Sequence, residues 1–220
     1  MRTNRRFRRL LRRTSAALVL LSSITCLSAA PRGTFIGLPV TASWNDDRRT
    51  MTLVSALVYI DPNGMKWEAP AGSIVDGASI PKIAWSLIGG PYEGAYREPS
   101  VIHDVACRQK TRPWELVHLA FYYAMLDSNV NPTLAKVMYA AVYHFGPRWP
   151  YAVQRTGLSR KQAAKARSRQ SDASLTLKVE PPPRRLSEPD FDKLKAQIEQ
   201  RDASGTPMSL EEIRNMTAPE

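Results

Sequence analysis

Ser100-Val101-Ile102-His103-Asp104-Val105-Ala106-Cys107 is the stretch on which the reading of this 220-residue chain turns. Apolar side chains at 101, 102, 105 and 106 recur at helical spacing, which makes one stripe of an amphipathic helix opened by Pro99. His103 and Asp104 stand side by side within it. Neighbouring helical residues project about 100° apart, so at most one of the two shares the centre of the buried face. A neutral imidazole is a suitable general base near pH 7, and an aspartate beside it can orient the ring or ligate a hard cation. Cys107 reads as a small buried hydrophobe.

Outward toward the C-terminus the pattern stays helical. Thr111 is the expected N-cap of a second helix, with Pro113 in its first turn and Val117, Ala120, Phe121, Ala124 and Met125 as its stripe up to about Asp127. His118 lies beside that stripe, flanked one turn away by Trp114, Phe121 and Tyr122. It reads either as a satisfied core histidine or as a site residue. Asn131-Pro132 is an N-cap and N1 pair for a third helix carrying Leu134, Val137, Met138, Ala141, Val142 and Phe145, stopped by Gly146-Pro147.

Outward toward the N-terminus the pattern changes period. Phe35 to Val40, Met51 to Ile60 and Met65 to Pro70 favour strands, and Asp61-Pro62-Asn63-Gly64 supplies the fixed φ and positive-φ positions of a hairpin turn. Asp76-Gly77-Ala78-Ser79-Ile80-Pro81 then leads into a short helical pattern ending at Gly89. Asp76 and Ser79 are candidates both for capping it and for a site. A loop rich in aromatics and turn formers, Pro91 to Tyr96, follows. The fold class expected is α+β: a small antiparallel sheet over about 35–75 packed on three to four helices over about 81–146.

The ends differ from this middle. Seven arginines lie in residues 1–13 without an acid, followed by an apolar run from Ser15 to Ala30 and the small residues Ser28-Ala29-Ala30. This reads as an export signal over 1–30, and the run is short for a permanent bilayer span. The implied location is periplasm or cell envelope, with membrane association through this segment. Cleavage before Cys26, followed by lipidation, is the second reading. Of the net charge of +11, residues 31–159 carry only +2 and residues 160–220 another +2. The basic character is therefore no sign of nucleic-acid binding. A single domain is expected over 31–158. Residues 159–220, with Pro181-Pro182-Pro183, read as a linker and a mostly disordered tail in which Ser187 and Ser209 cap short helices.

Asp76-Gly77-Ala78-Ser79-Ile80-Pro81, the loop near Tyr96, Ile102-His103-Asp104 and two helices ending at Phe145-Gly146 with Trp149 nearby resemble the domain of unknown function 1353 family of bacteria and phages, over about residues 50–150. The resemblance implies the α+β fold and no established activity. It also marks a departure, because His118 stands where that family carries an acidic residue. Ile102-His103-Asp104 with Arg108 is locally similar to the His-Asp helix of calcium-dependent secreted phospholipases. That likeness implies His103 as base and Asp104 as calcium ligand, although the glycine-rich calcium loop and paired disulfides of that family are not recognisable here.

Two functions follow as expectations. In the first, an exported hydrolase-like domain uses His103, Asp104 and Asp76, supported by Ser79, His118 and Tyr96. In the second, a non-catalytic envelope or phage-derived module uses the same residues as a hydrogen-bond network. A zinc cluster of His103, Asp104, His118 and Asp76 fits no ligand spacing of known zinc patterns, so no cofactor is assigned. The two functional readings differ in geometry: sealing His103 and Asp104 from solvent with internal partners removes the enzyme reading.

Overall fold

The computed structural model describes residues 32–77, 80–83, 94–153, 177–179 and 186–216. The export signal, Cys26, Ser79, most of the helix expected between Pro81 and Gly89, the start of the aromatic loop and most of the linker lie outside them. Eight short strands and five α-helices are present among the described residues, so the chain is α+β.

The strands are β1 (Thr34–Ile36), β2 (Ala42–Trp44), β3 (Met51–Leu53), β4 (Leu57–Ile60), β5 (Lys66–Ala69), β6 (Ile74–Val75), β7 (Tyr151–Val153) and β8 (Leu177–Val179). The run from Met51 to Ile60, expected as one strand, is broken at Val54–Ala56. Its halves enter different antiparallel sheets, ordered β1-β4-β5 and β2-β3-β6. The expected hairpin is β4-β5, with Tyr59 opposite Trp67. Asp61 builds its turn. The carboxylate accepts the backbone N–H groups of Asn63 and Met65 and the indole N–H of Trp67, and Gly64 takes the positive φ of 78° that a β-carbon disfavours. β7 and β8 form a separate antiparallel pair.

A 3₁₀ turn at Gly94–Tyr96 leads into α1 (Arg97–Gln109), which opens two residues before Pro99. Then come α2 (Trp114–Asp127), α3 (Pro132–Phe145), α4 (Glu188–Ala203) and α5 (Leu210–Asn215). Thr111 is not the cap of α2; Pro113 occupies that position and gives no side-chain bond. Asn131 caps α3 as expected, accepting from the N–H groups of Thr133 and Leu134, and Gly146 follows its last turn.

α2 is apolar on nearly every side because it is packed on two sides. One side joins Val117, Ala120 and Ala124 to α1 and to Leu53, Tyr59, Trp67 and Val75 of the sheets. The other joins Phe121 and Met125 to α3 and the C-terminal helices. At its end Asp127 accepts the Tyr59 hydroxyl at 2.6 Å and the Gly33 N–H at 2.9 Å, which fastens β4 and the segment before β1 to α2.

Residues 186–216 form α4 and α5, the two short helices expected from the caps at Ser187 and Ser209 within a tail otherwise read as mostly disordered. Ser187 with Asp190 and Ser209 with Glu212 make the two capping boxes, and Phe191, Leu194, Ile198 and Ile213 are buried against α3. Isolated helices of this length are marginal in water, so the apolar surface of α3 provides the stabilisation that local propensity lacks. Asp202 adds a bridge to α3, paired with Lys136 and accepting from Thr133, both at 2.7 Å. Among the described residues no helix is long and apolar enough to cross a membrane.

Candidate functional site

α1 separates its two central polar residues. The angular step between positions 103 and 104 sends their side chains to different neighbours, and each is 1% exposed. They do not share one cleft.

Asp104 faces the segment after β6. Its Oδ2 accepts the backbone N–H of Asp76 at 2.8 Å and that of Gly77 at 3.2 Å. Gly77 has a φ of 66°, the left-handed conformation that lets two successive N–H groups converge on one oxygen. Arg108, one turn along α1, binds the Asp76 carboxylate at 2.9 Å and stands 4.0 Å from Asp104 Oδ2. A buried carboxylate is costly unless charge-assisted bonds surround it, and this arrangement supplies them. Asp76 therefore contributes in two ways, by its backbone to Asp104 and by its side chain to Arg108. Tyr96 is buried in the helical core, where its carbonyl accepts the Ser100 hydroxyl at 2.7 Å.

His103 faces α2. Its Nε2 lies 2.8 Å from Nδ1 of His118, and the other nitrogen of His118, Nε2, lies 3.1 Å from the Pro147 carbonyl. A carbonyl only accepts, so His118 carries its proton on Nε2. Nδ1 of His118 is then bare and accepts the Nε2–H of His103. Phe121 stacks on His103 at 4.6 Å and Trp114 meets His118 edge-on at 5.5 Å. Burial lowers the pKa of His103 to about 3. It also holds His118 well below the ordinary histidine range, with His103 and Arg148 adding to the effect and the Pro147 carbonyl opposing it. Both rings are neutral at pH 7.

Cys107 completes this second cluster. Its Sγ is 3.6 Å from His103 Nε2, and the thiol is buried. Among the described residues, the group with ligand atoms placed to hold a metal is His103, Cys107 and His118, all within 4.8 Å of one another. The cluster of His103, Asp104, His118 and Asp76 considered from sequence is thus divided, with both aspartates on the other side of α1. Cys107, which reads from sequence as a small buried hydrophobe, is the member that the sequence does not assign to the site. The available signal was its i, i+4 spacing from His103, which puts the two side chains on one helical face.

Comparison with known proteins places this arrangement in a family. The model for the protein of unknown function DUF1353 matches residues 51–142, a segment that runs from β3 through most of α3 and contains both clusters. The uncharacterized protein y4iH of Sinorhizobium fredii is 32% identical over 191 residues, spanning 86% of this chain and 78% of that one. The chain belongs to the DUF1353 family. A second relative of the same organism, the uncharacterized protein y4jT, is 47% identical over 122 residues, which are 56% of this DUF1353 chain and 34% of y4jT. The present chain therefore matches about a third of the length of that relative. No solved structure matches it.

Proposed function

We propose that this DUF1353 chain is a non-catalytic module of the cell envelope, in which the Asp104 cluster holds the strand layer on the helices and the His103 cluster holds α1 on α2. One observation supports this most: the Asp104 carboxylate is engaged by the Asp76 and Gly77 N–H groups while His103 points away from it into the core. The hydrolase-like alternative needs the imidazole to reach a substrate and the aspartate to assist it, and the ring is 1% exposed. The test is esterase and phospholipase assay of the protein with and without calcium, beside His103→Ala. No turnover above buffer is expected from either protein. Hydrolysis that disappears in His103→Ala would sink the proposal.

The envelope location rests on the arginine-rich start and the apolar run to Ala30. The near-balanced charge of residues 31–220 supports a protein or surface partner over nucleic acid. Fractionation with N-terminal sequencing checks the location: cleavage near residue 30 or before Cys26 is expected, and an intact N-terminus in the cytoplasm would refute export.

A further inference from the structure

We propose that His103 Nε2, Cys107 Sγ and His118 Nδ1 form a binding site for one thiophilic d10 metal ion, Cu⁺ or Zn²⁺. This goes beyond the structural role above and does not depend on it.

The donor set is the first reason. Two imidazoles and a thiolate are the ligands that borderline and soft ions select, while the carboxylates that would favour calcium or magnesium lie across α1 with Arg108. Spacing is the second. Around an ion with bonds of about 2.0–2.1 Å to nitrogen and 2.3 Å to sulfur, a tetrahedral nitrogen-to-sulfur edge is about 3.6 Å. Cys107 Sγ and His103 Nε2 are 3.6 Å apart. The corresponding nitrogen-to-nitrogen edge is about 3.4 Å, against 2.8 Å between the two rings. Insertion of an ion therefore asks the rings to part by roughly half an ångström in place of one hydrogen bond. It also asks Cys107 Sγ, which lies within 4.8 Å of His118 Nδ1, to settle at the same nitrogen-to-sulfur edge of about 3.6 Å.

His118 provides the third reason. A metal-ligating histidine donates its other ring N–H to a carboxylate or backbone carbonyl, which fixes the ring and its tautomer. Pro147 already serves His118 in this way, leaving Nδ1 bare and aimed at the other two ligands. Both imidazoles are neutral, as ligation requires. On binding, the His103 proton moves from Nε2 to Nδ1 and the Cys107 thiol proton leaves to solvent, so one proton is released per ion. Cu⁺ with one thiolate and two neutral rings is a complex of zero net charge, suited to a buried three-coordinate site. Zn²⁺ leaves one positive charge and calls for a fourth ligand such as water.

The decisive experiment uses the full chain carrying Cys26→Ser, so that Cys107 is the sole thiol. The reduced protein is titrated with Cu⁺ under anaerobic conditions, with Zn²⁺, and with Co²⁺ as a spectroscopic substitute for zinc. The expected result is one equivalent bound, a raised thermal midpoint and, for Co²⁺, a thiolate-to-metal charge-transfer band. Cys107→Ala and His118→Gln should lose the site at least tenfold in affinity, whereas His144→Gln, which alters the third histidine, should keep it. Tight Cu⁺ with weak Zn²⁺ identifies the neutral three-coordinate form, and tight Zn²⁺ the four-coordinate form. A folded parent protein that binds well under one equivalent of both ions, and shows no charge-transfer band with Co²⁺, overturns the proposal even if the variants fail to fold. So does binding that survives Cys107→Ala unchanged.

Discussion

Asp104 Oδ2 lies 2.8 Å from the backbone nitrogen of Asp76, joining the middle of α1 to the segment that leaves β6. Residues 28 apart in sequence meet here, and the acceptor is a buried carboxylate with Arg108 close by. The contact places the sheets against the helices, so its loss is a loss of tertiary connection with little effect on α1 itself.

Asp104→Ala removes the acceptor and strands the Asp76 and Gly77 N–H groups, each orphaned donor costing about 1–3 kcal/mol. A total destabilisation of about 3–5 kcal/mol is expected by urea unfolding. Asp104→Asn keeps an acceptor oxygen and should lose about 1–2 kcal/mol, the difference between charge-assisted and neutral bonds. Equal effects of the two substitutions would mean that the negative charge and the acceptor geometry are not separable contributions at this site.

Much of this architecture is legible in the sequence because it depends on local rules. The Asn131-Pro132 start of α3, the Asp61 to Gly64 turn and the Ser209 capping box all follow from residue chemistry within a few positions. The break of Met51 to Ile60 does not, because Ser55 and Ala56 carry no strong turn signal and the two halves are separated by which partners they find, β1 and β5 or β2 and β6. α4 and α5 show their caps in the sequence but not their docking, which depends on an apolar face of α3 more than forty residues earlier. The candidate site divides likewise. His103 and Asp104 are conspicuous together in sequence and separate in space, since adjacency along a helix is divergence around it. Cys107 joins His103 by the same periodicity, and only the packing of α2 on α1 adds His118.

Leu194 is fully buried between α4 and α3, so Leu194→Ala should cost about 2–5 kcal/mol through lost burial and the cavity left behind. Ending the chain at residue 185 should act more strongly. It uncovers the surface of α3 and leaves Lys136 without Asp202, and the product should bind a hydrophobic dye and associate at micromolar concentration. A truncated chain that stays monomeric with an unchanged unfolding midpoint would show that α4 and α5 contribute nothing to the stability of the rest.

His144 links this C-terminal docking to pH. Its Nε2–H donates to the Ile213 carbonyl at 2.8 Å, pinning α5 to the end of α3. Burial lowers its pKa, Arg148 adds to that shift, and the bond to Ile213 opposes it. The folded pKa is thus below the value near 6.5 of an exposed histidine. As pH falls through that value the unfolded chain takes up a proton that the folded chain refuses, so this contribution to stability is full above about pH 6.5 and declines in acid. His103 and His118 shift in the same direction, so the comparison must isolate position 144. His144→Gln retains an N–H donor in place of Nε2–H and cannot titrate. Its unfolding free energy should fall less between pH 7 and pH 5 than that of the parent chain, while remaining within about 1–2 kcal/mol of it at pH 7. Parallel pH profiles for the two proteins would mean that His144 takes up its proton equally in the folded and unfolded chain, and that the hold of α5 on α3 is indifferent to its charge.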